Sequence, residues 1–262
     1  REEAPDEKYV PIEERIVRAG EQRLYLAVGR SHGYADRREG AGVARLTPAL
    51  LAERSLAQDW FLESLALYLA SHYRRATLHA ACIAYRGCGA LLTGCEGAGK
   101  STLAYACVRA GCQLVAEDVV YADPDDPAWV WGHPRCIHLM PDSTALFPEL
   151  AGAEKVPQLN GETKLAVRVQ ELRPDAALAH IAIRSVLSLS RYAGRRAMLS
   201  AADPNDLRAA LTGFTGNAPL DRAAMQAAAA RLASGCTAHL RAGSDPEATV
   251  ATLLRWLCAG GV

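Results

Sequence analysis

The chain has 262 residues, half of them hydrophobic, which is enough to bury a core in one large domain or in one domain with a small appendage. Lysine plus arginine and aspartate plus glutamate balance at 29 each, so no net charge draws the protein to nucleic acid or to an anionic membrane, and we expect neither as a partner. The eight cysteines form no CxxC pair and no metal-ligand spacing, so we expect small core residues in a reducing cytoplasm.

The beginning of the chain is predicted to be a small, β-rich subdomain behind a disordered tail. Residues 1–8 are polar and acidic rather than a secretory signal, and no apolar run is long enough to cross a bilayer, which favours a cytoplasmic protein. Residues 9–55 contain short strand-like runs at 15–17, 23–28 and 42–46, separated by glycine and charged turns. Residues 56–262 are predicted to form the core, which begins with a helix over 59–73.

Two apolar runs, 78–85 and 90–93, flank a turn that is too short for a crossover helix. We therefore predict that the two strands pair antiparallel and that the second leads directly into a glycine-rich loop. A helix over 101–110 follows, ended by Gly111, and then a strand over 113–116 that ends in the acidic pair Glu117-Asp118.

The rest of the chain is predicted to mix strands with a helical C-terminal region. Residues 129–139 have the pattern of strand, turn and strand, 148–163 that of a loop, and 164–169 and 182–190 those of strands. An alanine-rich helical pattern over 206–257 is broken at 213–219 and at 235–246, the second break enclosing a strand at 237–240. The fold class expected is α/β, an α+β arrangement around a mixed sheet.

The glycine-rich loop has the spacing G-x-x-x-x-G-K-S of a phosphate-binding loop, between a strand and a helix. Its glycines let backbone N–H groups turn inward around phosphates, and the helix that follows adds its positive N-terminal end. Lys100 is expected to reach the β and γ phosphates, Ser101 to ligate Mg²⁺, and Thr102 to hold the α-phosphate side. ATP and Mg²⁺ are the expected cofactors. The predicted cofactor-binding residues are Gly94, Glu96, Gly97, Ala98, Gly99, Lys100, Ser101 and Thr102.

The acidic pair suggests two different roles, because neighbouring side chains on a strand point to opposite sides. One carboxylate could hold Mg²⁺ while the other positions an attacking hydroxyl and takes its proton. The alternative is that Glu117 only pairs with a surface arginine. His79 opens the strand that pairs with the one leading into the loop and could therefore lie near the phosphates, although a lone histidine is more often a structural hydrogen bonder.

The stretch from Leu78-His79 through the loop to Glu117-Asp118 resembles the HPr kinase/phosphorylase family, whose P-loop core is related to phosphoenolpyruvate carboxykinase. The resemblance implies an HPr kinase/PEP carboxykinase-like core with His79 in the active site. It also implies that Glu117 is the general base toward a serine hydroxyl and that Asp118 helps to bind the metal. The family usually has Asp where this chain has Glu117, which would put the base one methylene further out.

Other features depart from that family. The glycine-rich signature after the acidic pair and the basic loop that docks HPr are not found, so HPr is not the expected substrate. The chain looks more like shorter HPr-kinase-related proteins, some of which phosphorylate a serine on a ribosomal peptide precursor, as in lasso peptide pathways, and others a free amino acid. In these relatives a His-Pro-Arg-like turn and a later lysine follow the core. Arg135 and Lys164 could correspond, and with Arg191 they are candidates for phosphate or substrate contacts, with ordinary surface charge as the alternative.

The leading hypothesis is a Mg-ATP-dependent kinase that transfers the γ-phosphoryl group to a serine-type hydroxyl of a peptide or small molecule. A non-catalytic ATP-binding regulator is the alternative, although a pure sensor has less need of the carboxylate pair. ATP hydrolysis that drives motion would require a helicase- or transporter-like region, which is not found. The sequence leaves open the acceptor, the oligomeric state, including a homo-oligomer, the use of pyrophosphate as donor, and which carboxylate is the base.

Overall fold

A computed structural model describes residues 15–20, 22–54, 56–70, 76–123, 125–157, 162–213 and 222–260. The described residues divide into two compact units, of which the first comprises those from Arg15 to Ala70 and the second those from Ala76 onward. The predicted tail, residues 1–8, lies outside the described residues. Within the described ranges, no helix has the length and the apolar character needed to span a membrane.

The first unit is a four-stranded antiparallel sheet with helical segments after it. The sheet has the order β1-β2-β3-β4, and one of its faces packs against the helical segments. Burial alternates along β3, as expected for a strand with one covered face. Its elements are β1 (Arg15–Ala19), β2 (Arg23–Val28), β3 (Ser31–Asp36), β4 (Ala41–Arg45), α1 (Pro48–Ala52), a π-helical segment (Leu56–Leu62) and α2 (Glu63–Ala70).

Strand β3 was not predicted, because Gly33 and the polar ends of the segment mask its strand pattern. The structure gives this glycine a packing role. A Cβ at Gly33 would lie 2.9 Å from Leu65 Cδ1 and 3.0 Å from both Phe61 Cε1 and the Val43 carbonyl oxygen, so a larger residue would force the helical side chains to shift. The segment 56–70, assigned to the core from its sequence, therefore packs on the four-stranded sheet and belongs to the first unit rather than to the second.

The second unit is built on a nine-stranded mixed sheet. Its main path is β5-β9-β10-β14-β7-β6-β8, and β16 pairs with both β14 and β15. Strands β7, β14 and β16 are mutually parallel, so their carboxyl ends meet at one edge. The strands are β5 (Ala76–His79), β6 (Ala81–Tyr85), β7 (Cys88–Thr93), β8 (Gln113–Ala116), β9 (Val119–Ala122), β10 (Trp129–Trp131), β14 (His180–Arg191), β15 (Met198–Ser200) and β16 (Cys236–Ala242).

Both faces of this sheet are covered, and each covering builds its own core. One face packs against α3, α7 and a three-stranded sheet in the order β11-β13-β12, and the other packs against α5 and α6. Tyr105 of α3 is fully buried in the first core, with its ring edge-on to Phe147. The further elements are α3 (Lys100–Arg109), β11 (Cys136–Leu139), two 3-10 helices (Pro141–Ala145 and Pro148–Gly152), β12 (Glu154–Pro157), β13 (Thr163–Arg168), α4 (Val169–Leu172), α5 (Pro204–Thr212), α6 (Arg222–Ala233) and α7 (Pro246–Cys258).

The mixed α/β class is confirmed, and so is the antiparallel pairing of β6 with β7 across a two-residue turn. The strand enclosed in the second break of the C-terminal helices is also confirmed, as β16. Strand β12 was predicted as loop, and β9 and β15 were not predicted. These strands have three or four residues each, and β12 is defined by its partner, with Val156 opposite Lys164.

Candidate active site

Two neighbouring antiparallel strands break at the same level of the sheet. One break, at Ala80, separates β5 from β6, and the other, at Glu117 and Asp118, separates β8 from β9. The pairing continues on both sides, and at the break the Ala80 amide donates to the Asp118 carbonyl at 2.9 Å. Because paired strands lie on both sides of the break, His79, Glu117 and Asp118 are held between β-strands rather than on a long loop.

The predicted phosphate-binding loop, residues 94–101, connects β7 to the start of α3. Gly97 and Gly99 have φ angles of 75° and 97°, which favour glycine, and a turn is closed by the Ala98 amide donating to the Cys95 carbonyl at 3.2 Å. Gly99 is the N-cap of α3 and provides no side-chain cap. The N–H groups of the first helical turn are therefore available to an anion at the positive end of the helix.

Gly94 is fixed by a close approach of the next strand. Its φ angle is 151°, and a Cβ there would lie 2.6 Å from the carbonyl oxygen of Leu189 on β14. Any side chain would push the loop away from β14, so the first glycine of the motif sets the position of the loop on the sheet.

Lys100 is buried at the centre of the loop. Its ammonium group donates to the carbonyl oxygens of Gly94 at 3.0 Å and Cys95 at 3.4 Å, and the residue is only 8% exposed. The side chain is curled over its own loop, where a bound phosphate would replace neutral carbonyls with charged oxygen acceptors.

Ser101, Glu117 and His138 form a hydrogen-bonded chain beside the loop. Ser101 Oγ donates to Glu117 Oε1 at 2.7 Å, and Glu117 Oε2 lies 3.0 Å from His138 Nδ1. The side chains of Glu117 and His138 are 15% and 24% exposed. Both carboxylate oxygens of Glu117 are thus engaged, one by the hydroxyl expected to face Mg²⁺ and the other by an imidazole.

His138 is a functional candidate that the sequence did not reveal. Burial alone would lower the pKa of His138, but hydrogen bonds with Cys136 and Glu117, together with the charge of Glu117, outweigh burial and raise the pKa to about 10. The side chain is an imidazolium at neutral pH. The alternation of β11 indicates only that His138 points away from Ile137 and Leu139, and nothing local shows that it meets a carboxylate 21 residues earlier.

His79 lies among the charged groups of the site. Burial lowers the pKa of His79, the charges of Asp118 and Glu96 raise it, and the charge of Lys100 lowers it further. The net direction is downward, so the imidazole is neutral at neutral pH. Its Nδ1 is buried, has no hydrogen-bond partner among the described residues and lies 3.5 Å from Asp118 Oδ1.

The two carboxylates of the acidic pair differ in their surroundings. The side chain of Asp118 is 54% exposed, whereas that of Glu117 is 15% exposed. Asp118 lies beside the imidazole of His79, while Glu117 accepts a hydrogen bond from Ser101. The ribbon therefore presents one carboxylate to the loop hydroxyl and the other to solvent.

The three predicted basic contacts are placed differently. Arg191, at the end of β14, has its Nε 3.9 Å from the position that a Cβ of Gly99 would occupy, so it lies against the phosphate-binding loop. Arg135 precedes the end of β11 that pairs with Arg168, whereas Lys164 precedes the other end of that pairing. At about 3.3 Å per residue, the backbones of Lys164 and Arg168 are about 13 Å apart along β13, so Arg135 and Lys164 start from opposite ends of this pairing.

The residues present fit the expected cofactors. Mg²⁺ takes oxygen ligands and keeps several waters, and Ser101 and Glu117 bring two side-chain oxygens together at the start of α3. Over the described part of the chain, no group of three or more His, Cys, Asp and Glu side chains could hold a metal ion. A magnesium ion here would complete its shell with phosphate oxygens and water, as it does in nucleotide sites.

Comparisons with known proteins do not identify a function for this chain. No family model matches the chain, and the search of curated proteins finds no match. Among solved structures, one match is the HPr(Ser) kinase/phosphatase from Coxiella burnetii, with 16% identity over 48% of this chain and 72% of that chain and a TM-score of 0.30. A similarity at this level carries no conclusion about function.

Proposed function

We propose that the protein is a Mg-ATP-dependent kinase that transfers the γ-phosphoryl group to a hydroxyl of serine type, on a peptide or a small molecule. The observation that carries the proposal is the 2.7 Å hydrogen bond between Ser101 Oγ and Glu117 Oε1. It joins the hydroxyl of the phosphate-loop motif to a carboxylate from a neighbouring strand, which is the pairing that a Mg-nucleotide site needs.

The loop and α3 hold the nucleotide in this proposal. Bound Mg-ATP supplies the phosphoryl group and a cation that neutralises charge on its oxygens. The N–H groups at the start of α3 would bind the phosphates, and Lys100 would exchange its contacts with the Gly94 and Cys95 carbonyls for contacts with the β and γ phosphates. Ser101 would face the cation, with its hydroxyl oriented by Glu117.

The contacts favour a division of roles within the acidic pair that is the reverse of the one implied by the family resemblance. Glu117 already accepts hydrogen bonds on both of its oxygens, so we assign it a role beside the metal ion rather than as the base. Asp118 is more exposed and lies next to the neutral imidazole of His79. We therefore assign to Asp118 the positioning of the acceptor hydroxyl and the uptake of its proton, and to His79 a hydrogen bond to the acceptor or to the transferred phosphoryl group.

The function is tested first by phosphate transfer. The protein is incubated with Mg-ATP and with the peptides and metabolites produced by neighbouring genes, and mass spectrometry detects the gain of one phosphate. Lys100→Ala should abolish ATP binding in calorimetry and transfer in the same assay. Normal transfer by Lys100→Ala would contradict the proposal, and ATP binding without transfer to any acceptor would favour a nucleotide-binding regulator instead.

The division of roles is tested by two substitutions that remove one charge each. Asp118→Asn should bind Mg-ATP as the unmodified protein does and lose about 10²- to 10⁴-fold in kcat, the range typical of a general base. Glu117→Gln should weaken ATP binding when Mg²⁺ is present and change it little in EDTA. If Glu117→Gln binds Mg-ATP normally but loses transfer, Glu117 is the base.

A further inference from the structure

A cavity of about 260 Å³, the edge cavity, lies where two strands meet end to end on one edge of β14. Strand β10 pairs with that edge as far as Ala182, and β16 pairs with it from Ser185 onward. The loop before β10 and the end of α6 complete the walls. The Ile183 amide donates to the Ala128 carbonyl, which fixes this loop against β14. The walls therefore come from backbone that is already paired.

The edge cavity is separate from the candidate active site. Of the described residues that line it, none belongs to the phosphate-binding loop or to the acidic pair. Both sites touch β14, but Ser185 lines the edge cavity, whereas the carbonyl of Leu189 lies against Gly94. At about 3.3 Å per residue, the backbones of Ser185 and Leu189 are about 13 Å apart. A ligand in the edge cavity and a nucleotide on the loop could therefore be bound at the same time.

Two arginines give the edge cavity its positive charge. Arg184 comes from β14 and Arg231 from the end of α6. Arg231 Nη1 donates to the Asp125 carbonyl at 3.3 Å, whereas Arg184 has no hydrogen-bond or ion-pair partner within the described ranges. Asp126 is the one carboxylate among the described lining residues, and it forms an ion pair with neither arginine. Two guanidinium groups with unused N–H donors therefore line a cavity that holds a single negative charge.

A buried hydroxyl adds a third donor. Ser185 is only 5% exposed, and its Oγ donates to Cys236 Sγ at 3.6 Å. Both residues line the edge cavity, and a thiol sulfur is a weak acceptor. A charged oxygen in the cavity would accept the same proton in a shorter and stronger hydrogen bond. The Ser185 hydroxyl is thus held in place without the strong partner that a buried polar group normally has.

These donors favour a phosphate group over a carboxylate. A planar carboxylate presents two oxygens, which one guanidinium can bind side by side, whereas a phosphate presents oxygens in several directions. Here the donors come from two different segments, β14 and α6. The volume of the edge cavity lies just below the roughly 300–1,000 Å³ of pockets for drug-sized ligands, so the ligand is small.

We propose that the edge cavity binds the phosphate group of a small ligand and is a second anion site, distinct from the nucleotide site. Arg184 and Arg231 bind phosphate oxygens, and Ser185 donates a third hydrogen bond. The site does not depend on the proposed kinase function, because the two share no residue. Free inorganic phosphate and a small phosphate ester present the same group, and the probes below distinguish them.

Calorimetry with Lys100→Ala tests the edge cavity while the phosphate-binding loop is disabled. The probes are inorganic phosphate, glycerol 3-phosphate and acetate. Both phosphates should bind at one site per chain, and acetate should bind at least about tenfold more weakly. Tighter binding of glycerol 3-phosphate than of phosphate would identify an ester as the ligand, and equal or weaker binding would identify free phosphate. The same titrations on the unmodified protein, saturated with Mg²⁺ and a non-hydrolysable ATP analogue, repeat the test with Lys100 intact.

Further substitutions in the same background assign the binding to the edge cavity. Arg184→Gln and Arg231→Gln should each weaken phosphate binding by at least about tenfold, because each removes charge-assisted hydrogen bonds. Ser185→Ala removes a neutral donor and should weaken it about fivefold. Arg208→Gln, at an exposed arginine of α5, is the matched control and should bind phosphate normally.

The possible failures are distinguishable from failure of the kinase function. Absence of binding of either phosphate up to about 10 mM would overturn the site. Phosphate binding that Arg184→Gln and Arg231→Gln leave unchanged, or acetate binding as tight as that of phosphate, would overturn it as well. None of these results bears on ATP binding or phosphate transfer by the unmodified protein. If the unmodified protein fails to bind ATP, the kinase function is overturned, and the titrations of Lys100→Ala still decide the edge cavity.

Discussion

The contact between His138 and Glu117 should make the stability of the protein fall as the pH rises above neutrality. The perturbation is His138→Gln, which keeps a donor for Glu117 but removes the titrating imidazole. In the protein without nucleotide or metal, the pKa of His138 is raised from 6.5 to about 10, because the hydrogen bonds with Cys136 and Glu117 and the charge of Glu117 outweigh the effect of burial.

The sign and the size follow from that pKa. Below pH 6.5 the imidazole is protonated in the folded and unfolded chains, so the interaction contributes its full amount. Between pH 6.5 and about 10 only the folded chain keeps the proton, and the contribution falls by up to about 1.4 kcal/mol per pH unit until none is left. The shift corresponds to about 5 kcal/mol at most. We expect about 2–4 kcal/mol, because His138 is 24% exposed and solvent screens the pair.

Urea unfolding at pH 6, 7.5 and 9 measures this contribution as the difference in unfolding free energy between the unmodified protein and His138→Gln. Other titrating groups cancel in the difference, and His180→Gln, at an exposed histidine, controls for the loss of an imidazole. The difference should be largest at pH 6 and shrink steadily toward pH 9. A difference that does not change with pH, or an NMR titration of His138 with a midpoint near 6.5, would refute the reasoning.

Three further substitutions test the packing by urea unfolding. Gly132→Ala would drive a Cβ into the carbonyl oxygen of Val115, so we expect a loss of about 3 kcal/mol or more, whereas Gly152→Ala, where a Cβ meets no atom within 4 Å, should cost little. Phe147→Ala empties a fully buried aromatic site and should cost about 3–5 kcal/mol; a cost below about 1 kcal/mol would contradict the close packing. Tyr68→Phe removes a hydroxyl that donates to a main-chain carbonyl at 2.6 Å and should cost about 1–2 kcal/mol, and an unchanged stability would argue against that bond.

The strand, loop and helix around the phosphate-binding motif could be predicted because their signals are local. The spacing of Gly94, Gly99 and Lys100, the apolar strand before them and the stop at Gly111 all lie within about one βα unit of chain. The acidic pair was found for the same reason, since it follows directly on the next strand. The roles of the two carboxylates were not decided by the sequence, because each role depends on a partner from elsewhere in the chain.

The rest of the site depends on contacts between distant segments. His138 meets Glu117 across 21 residues, and its strand pattern gives only the side on which it lies. The cavity of about 330 Å³ beside the loop is lined by the loop with α3 and by three other segments, within 142–146, 191–192 and 242–249, and Tyr192 has no local motif that marks it. Gly33 and Gly194 weaken the local patterns around them, yet the structure uses both where a side chain would collide with a neighbour.

The break between β8 and β9 makes the acidic pair sensitive to chain length. Adjacent residues of a strand face opposite sides, so one residue inserted into β8 would exchange the sides of Glu117 and Asp118 and send the wrong carboxylate toward Ser101. The turn at Arg86-Gly87 connects β6 to β7 at the opposite end of these strands, is exposed, and has no neighbour where a Cβ of Gly87 would lie. A reporter peptide inserted at that turn should therefore be tolerated and could follow ligand binding without altering the ribbon that carries the carboxylates.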